Sequence, residues 1–148
     1  MKARWLDAIR RYAIATLALH LVWEVIQLPL FTIWSQSAAK QAFAVVHCTA
    51  GDLAIAGLAL LVALVVTAKP DWPEGDMRRF WLLLLATGLV YTVYSEWLNT
   101  QVRGNWAYAP LMPVLPVLGT GLSPLAQWIV VPTIALRTAI GRWPWRGA

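Results

Sequence analysis

Four runs of apolar residues, at about 12–34, 41–68, 80–101 and 121–140, alternate with short polar or proline-rich stretches. Each run is close to the ~20 residues that a helix needs to cross a bilayer. The predicted fold is an all-α integral membrane protein, a single transmembrane domain over residues 1–148 built as a four-helix bundle. Pro29 in the outer third of the first run and Pro132 in the last predict kinks, since proline removes a helical N–H and crowds the preceding turn. The second run opens on small residues such as Ala50, Gly51, Ala54 and Gly57, which let helix backbones approach closely.

The polar stretches predict the rest. Residues 1–11 carry Lys2, Arg4, Arg10 and Arg11 beside Trp5, the pattern of an amphipathic N-terminal lead-in helix at the inner interface. Residues 102–120 are mostly apolar but hold Pro110, Pro113 and Pro116, which exclude a regular spanning helix and predict a cap over one mouth of the bundle. The first run is too long for the apolar core of a signal peptide and is expected to stay in the mature chain.

Composition agrees: 59% hydrophobic and 13% charged residues lie outside the range of soluble domains. The net charge of +5 suggests nucleic acid at first sight, but the basic residues flank the apolar runs. Lys2, Arg4, Arg10, Arg11, Lys69, Arg78, Arg79, Arg137, Arg142 and Arg146 fall on one side, against Lys40 and Arg103 on the other. By the positive-inside rule, both termini are cytoplasmic in a bacterial-type inner membrane, and nucleic acid is not an expected partner. One cysteine, Cys48, excludes a disulfide framework.

The candidate chemistry lies where lipid would be expected. Glu24, Asp52 and Glu96, with His20 and His47, all fall inside apolar runs. A charged group in hydrocarbon costs several kcal/mol unless it is neutralised, paired or hydrated, so such groups mark bundle interiors. Counted at about 1.5 Å per residue from the outer boundary, Glu96 and His47 are shallow, Glu24 and Asp52 lie near the middle, and His20 is deepest. One outward-facing polar cavity accounts for all five. Thr92, Ser95, Glu96 and Asn99 share one helical face, as do His20, Glu24 and Gln27. His47 and Asp52 are about 140° apart on an ideal helix, so His47 reaches the site from one side or from a distorted turn. Trp106 and Tyr108 are placed at the rim, while Trp23 reads as packing and the fourth run, with only Ser123 and Gln127, as a wall. Below His20 within the first run only Thr16 remains before Tyr12 at its inner end, and inward of Asp52 the second run has only Thr67, which predicts a blind pocket and not a channel.

HExxH, P-loop, Rossmann and GxSxG patterns are absent. Over fewer than ten residues, TAGDLAIAG resembles the aspartate segment of the lipoprotein signal peptidases, small four-span proteins with an outer-leaflet carboxylate pair. Their GN-x-x-D segment has no counterpart. The His20–Glu24 spacing resembles the emopamil-binding type of sterol isomerase, in which intramembrane histidine and acidic groups work on an apolar substrate.

Three classes of function follow. The first is a membrane enzyme acting on a lipid or isoprenoid-like apolar molecule. Glu24, His47, Asp52 and Glu96 supply its acid–base groups, and His20, Gln27, Asn99, Trp106 and Tyr108 its binding groups. The second is a divalent-metal site held by His20, Glu24, His47, Asp52 and Glu96. The third is ion or proton handling, or an accessory role in a membrane complex.

Overall fold

The computed structural model describes residues 2–145, with side chains from residue 4. Among these the chain is all-helical, with no strand. Four long helices, α1 (Lys2–Gln27), α2 (Ala38–Thr67), α3 (Arg78–Trp97) and α4 (Leu122–Ile140), form a ring in which each packs on the next and α4 closes onto α1. Three of them are long and apolar enough to cross a membrane, over Arg4–Leu30, Ala38–Thr67 and Arg78–Val102. In α4, Ser123, Gln127, Thr133, Arg137 and two prolines dilute the apolar content.

Two expectations for the first span are corrected. No separate lead-in helix precedes it: α1 runs unbroken through residues 2–27, which contain neither glycine nor proline. Ala8, Tyr12, Thr16 and His20, one turn apart, are all buried, so the stripe that faces the bundle begins before the apolar run does. Pro29 ends the helix and does not kink it. The missing N–H of proline and the crowding of its ring against the preceding turn end the α-helix, Leu28–Leu30 tightens into a 3-10 turn, and Phe31 beyond it is extended. Of the residues counted for orientation, the Lys2 side chain and Arg146 lie outside the described part.

The other ends have local causes. Ser37 caps α2, and Ala68 in the left-handed region followed by Pro70 stops it. The Asp76 carboxylate accepts from the Arg78 N–H at the start of α3 (3.0 Å). α3 ends in a π-helical turn, Leu98–Val102. Gly141, at φ 75°, closes α4.

The two ends of the ring are built differently. At one, Arg4 pairs with Glu74 (2.6 Å), Arg78 Nε donates to the Trp145 carbonyl (2.9 Å) and Arg142 donates to the Gly75 carbonyl. At the other, the 3-10 turns after α1 meet the connection before α4 by backbone: Thr32 N–H donates to the Ala107 carbonyl and Ala109 N–H to the Leu30 carbonyl, both at 2.9 Å. The 103–121 connection thus lies across that end.

The apolar core occupies the half nearer the termini. Phe80, Leu84 and Leu136 interlock there with Ala56, Ala59, Ala63, Ala135 and Ala139, and Trp72 stacks on Phe80. Large apolar side chains such as Ile26 and Phe43, both 71% exposed, cover the outside of the ring. An apolar exterior around buried polar groups is the reverse of a water-soluble bundle.

Candidate functional site

The other half of the ring is hollow. A cavity of about 920 Å³ lies between the helices and under the 103–121 connection. Glu24, Asp52 and Glu96 all line it, from three different helices, and so do Gln27, His47, Asn99 and Trp106. His20 and Tyr108 stand behind its wall.

Glu24 and Asp52 are drawn together by a residue assigned above to a mere wall. The Nε2 amide of Gln127, on α4, is 2.8 Å from His20 Nδ1, 3.0 Å from Glu24 Oε1 and 3.1 Å from Asp52 Oδ2. An amide nitrogen carries two hydrogens, so three acceptors exceed what it can supply. The shortest contact is to His20 Nδ1, which accepts from the amide in the tautomer that carries its hydrogen on Nε2. His20 Nδ1 is also 3.1 Å from Asp52 Oδ2, a separation at which two lone pairs repel unless a proton lies between them.

Gln27 Nε2 donates to Glu24 Oε1 (2.8 Å), and Gln27 Oε1 accepts from Ser123 (2.8 Å). Trp23 is more than packing, since its indole N–H donates to Ser123 Oγ at 3.2 Å. Ser123 and Gln127, one turn apart on α4, repeat the Glu24–Gln27 spacing closely enough for the two stripes to meet. That pairing of polar positions in an apolar run was the available signal for Gln127.

Glu96 is held apart from this cluster. It is buried and accepts a very short hydrogen bond from the Tyr108 hydroxyl, whose oxygen accepts in turn from the Gly121 N–H at 3.0 Å. Burial, then the adjoining Glu96 carboxylate, holds the Tyr108 hydroxyl above the usual tyrosine range. Asn99 lies in the π-helical turn and its amide is engaged locally, donating to the Ser95 carbonyl (2.8 Å) and accepting from Asn105 (2.7 Å). It shapes the wall more than it offers groups to a ligand. His47 sits in regular helix and stacks on Phe43 with ring centroids 5.5 Å apart; none of the hydrogen bonds of the three acids reaches it.

Among the described residues, no group of three or more His, Cys, Asp or Glu side chains is placed to hold a metal ion. Glu24, Asp52 and His20 do converge, but Gln127 Nε2 fills the point of convergence. None of the three acids is paired with Lys or Arg among the described residues; Lys40 and Arg103 edge the cavity, both exposed. Comparison of the chain with protein-family models, curated proteins and solved structures gave no match.

Proposed function

We propose that the protein is a membrane enzyme that carries out acid–base chemistry on a lipid or isoprenoid-like apolar substrate. In this reading all four helices span a bacterial-type inner membrane, both termini are cytoplasmic and the cavity opens toward the periplasmic side. Glu96, held by Tyr108, and the Glu24–Asp52 pair are the groups that exchange protons with substrate. His20 is the proton partner behind them.

One observation carries the proposal: three carboxyl groups, none paired with Lys or Arg among the described residues, line a single cavity that also presents apolar and aromatic walls, including Phe43, Tyr91 and Trp128. Desolvated acids of this kind suit general acid–base catalysis when they stand within reach of the bound molecule. Phe43 and Tyr91 are also exposed on the outer surface of the ring, so an apolar molecule meets the cavity from the lipid side.

The test is a comparison of membrane lipid extracts by mass spectrometry from cells expressing the parent chain, Glu96→Gln or Asp52→Asn at matched levels. At least one lipid species should be depleted, with a product of related mass enriched, in the parent alone. Lipid profiles that do not distinguish the parent from both variants would sink the enzymatic reading.

A further inference from the structure

The buried stripe of α1 continues past the site. Tyr12, Thr16 and His20 are 3%, 1% and 0% exposed; the Tyr12 and Thr16 hydroxyls lie close to each other, and neither they nor His20 Nε2 make a well-formed hydrogen bond among the described residues. The helices around this stretch bring alanines and aliphatics such as Ala56, Ala59 and Leu136 into the same core, which offer neither donor nor acceptor. The Trp72 indole N–H, in the connection at the terminal end, is likewise buried and unpartnered. One such orphan is unusual in a native fold; a row of them on one stripe calls for bound water. The spacing suits it. Thr16 and His20, four residues apart, are displaced by about 6 Å along the axis, about the span of two hydrogen bonds through one water, and the Tyr12 hydroxyl adjoins Thr16 directly.

We propose that Tyr12, Thr16 and His20 are joined by bound waters into a proton path that links the carboxylate cavity to the terminal end of the bundle. Asp52 of α2 faces His20 directly, Glu24 of α1 does so through the α4 amide of Gln127, and the Trp128 ring lies against the imidazole at 5.1 Å. In the outgoing step the Asp52 O–H bond breaks as His20 Nδ1–H forms. Nε2–H then breaks as its proton joins the first water, and each following O–H passes one proton on, until one is released beyond Tyr12. For net flow the imidazole turns about its Cβ–Cγ bond between protons, so that an N–H again faces the waters and a lone pair faces Asp52, which takes its next proton from the cavity; the whole sequence also runs in reverse. The path makes the pocket blind to solutes but not to protons. It concerns proton exchange alone and does not depend on the identity of any substrate.

Two measurements on the full chain in phosphatidylcholine vesicles test it. In water-edited solid-state NMR, the side-chain carbons of Tyr12, Thr16 and His20 should receive magnetisation from water as quickly as those of the cavity residue Ser95. Ala56 and Leu136 should lag. Build-up at Thr16 and His20 as slow as at Ala56 overturns the water file. In the second, a potassium diffusion potential set by valinomycin drives protons into vesicles carrying trapped pyranine. The parent should acidify the lumen faster than protein-free vesicles, with Tyr12→Phe and Thr16→Val, which remove only a hydroxyl, falling to the protein-free rate. A parent rate equal to that of protein-free vesicles, or unchanged rates in both variants, overturns the path. Neither readout involves lipid turnover, so failure here and failure of the enzymatic reading are distinguishable.

Discussion

Gln127 is the side chain on which the site depends, because one amide bridges groups from two other helices. Replacing it with leucine leaves Glu24, Asp52 and His20 facing one another without their common donor. Loss of a hydrogen bond to a buried polar or charged group costs about 1–3 kcal/mol. Gln127→Leu should therefore unfold in detergent at a clearly lower temperature than the parent, while Gln101→Leu, at an exposed position, should not. The acids themselves should behave in the opposite way. Glu24→Gln and Asp52→Asn keep shape and most hydrogen-bonding capacity while removing a negative charge from a cluster that repels itself when ionised. Both variants should be as stable as the parent or more so, and inactive. Thermal unfolding with and without chelator checks this: a large chelator-sensitive loss in the parent would mean that an ion holds the acids. Glu24, Asp52, Glu96 and His20 were readable from the chain alone, since an ionisable residue in an apolar run is conspicuous. Gln127 was legible only as a polar position in an apolar run; its part as the hub was not, because an amide becomes a hub only when other helices deliver their acids to it. Asn99 shows the converse, a polar residue on the right face whose amide is absorbed by its own π-helical turn.

At the scale of elements, the helices were legible because their apolar runs are long and their punctuation is strong. Pro29, the 68–77 connection and Gly141 all mark boundaries by backbone chemistry that acts locally. The start of α1 was obscured by its arginines, which resemble an interfacial segment although nothing in residues 2–11 breaks a helix. Nor does periodicity show how closely two helices approach. On α3, a Cβ added at Gly88 would come within 2.2 Å of Trp128 Cε3, so α3 and α4 touch where glycine meets an indole. Both atoms belong to packed, buried groups, and relief requires moving a helix or the ring. Gly88→Ala should destabilise the bundle by roughly 1–3 kcal/mol, the usual penalty of overpacking. Gly57→Ala, with nothing within 4 Å of the added carbon, should be neutral or slightly stabilising. Paired thermal melts of the two variants decide the matter; equal losses would contradict the described α3–α4 contact.

For the whole molecule, the ring of helices and the crossed connections divide the chain into two ends of different character. The proposed orientation places the 103–121 connection outside and the termini inside. In a Cys48→Ala background, Arg103→Cys should react with a membrane-impermeant maleimide added to intact spheroplasts, and Asp76→Cys only after the membrane is opened. Labelling in the reverse order would turn the cavity to face the cytoplasm.

The unequal construction of the two ends has a consequence for ionic strength. The cavity end is stitched by peptide groups, which carry no net charge, and by a tyrosine whose hydroxyl accepts from the Gly121 N–H. The terminal end is fastened by guanidinium groups reaching across exposed surface, as in the Arg4–Glu74 pair. Dissolved ions screen exposed charges beyond about 8 Å at physiological strength and over shorter distances as their concentration rises. Added salt therefore works as a one-sided solvent. It loosens the clasp at the terminal end and leaves the stitching of the cavity end in place, so any salt-dependent breathing of this protein begins at the end farthest from its buried acids.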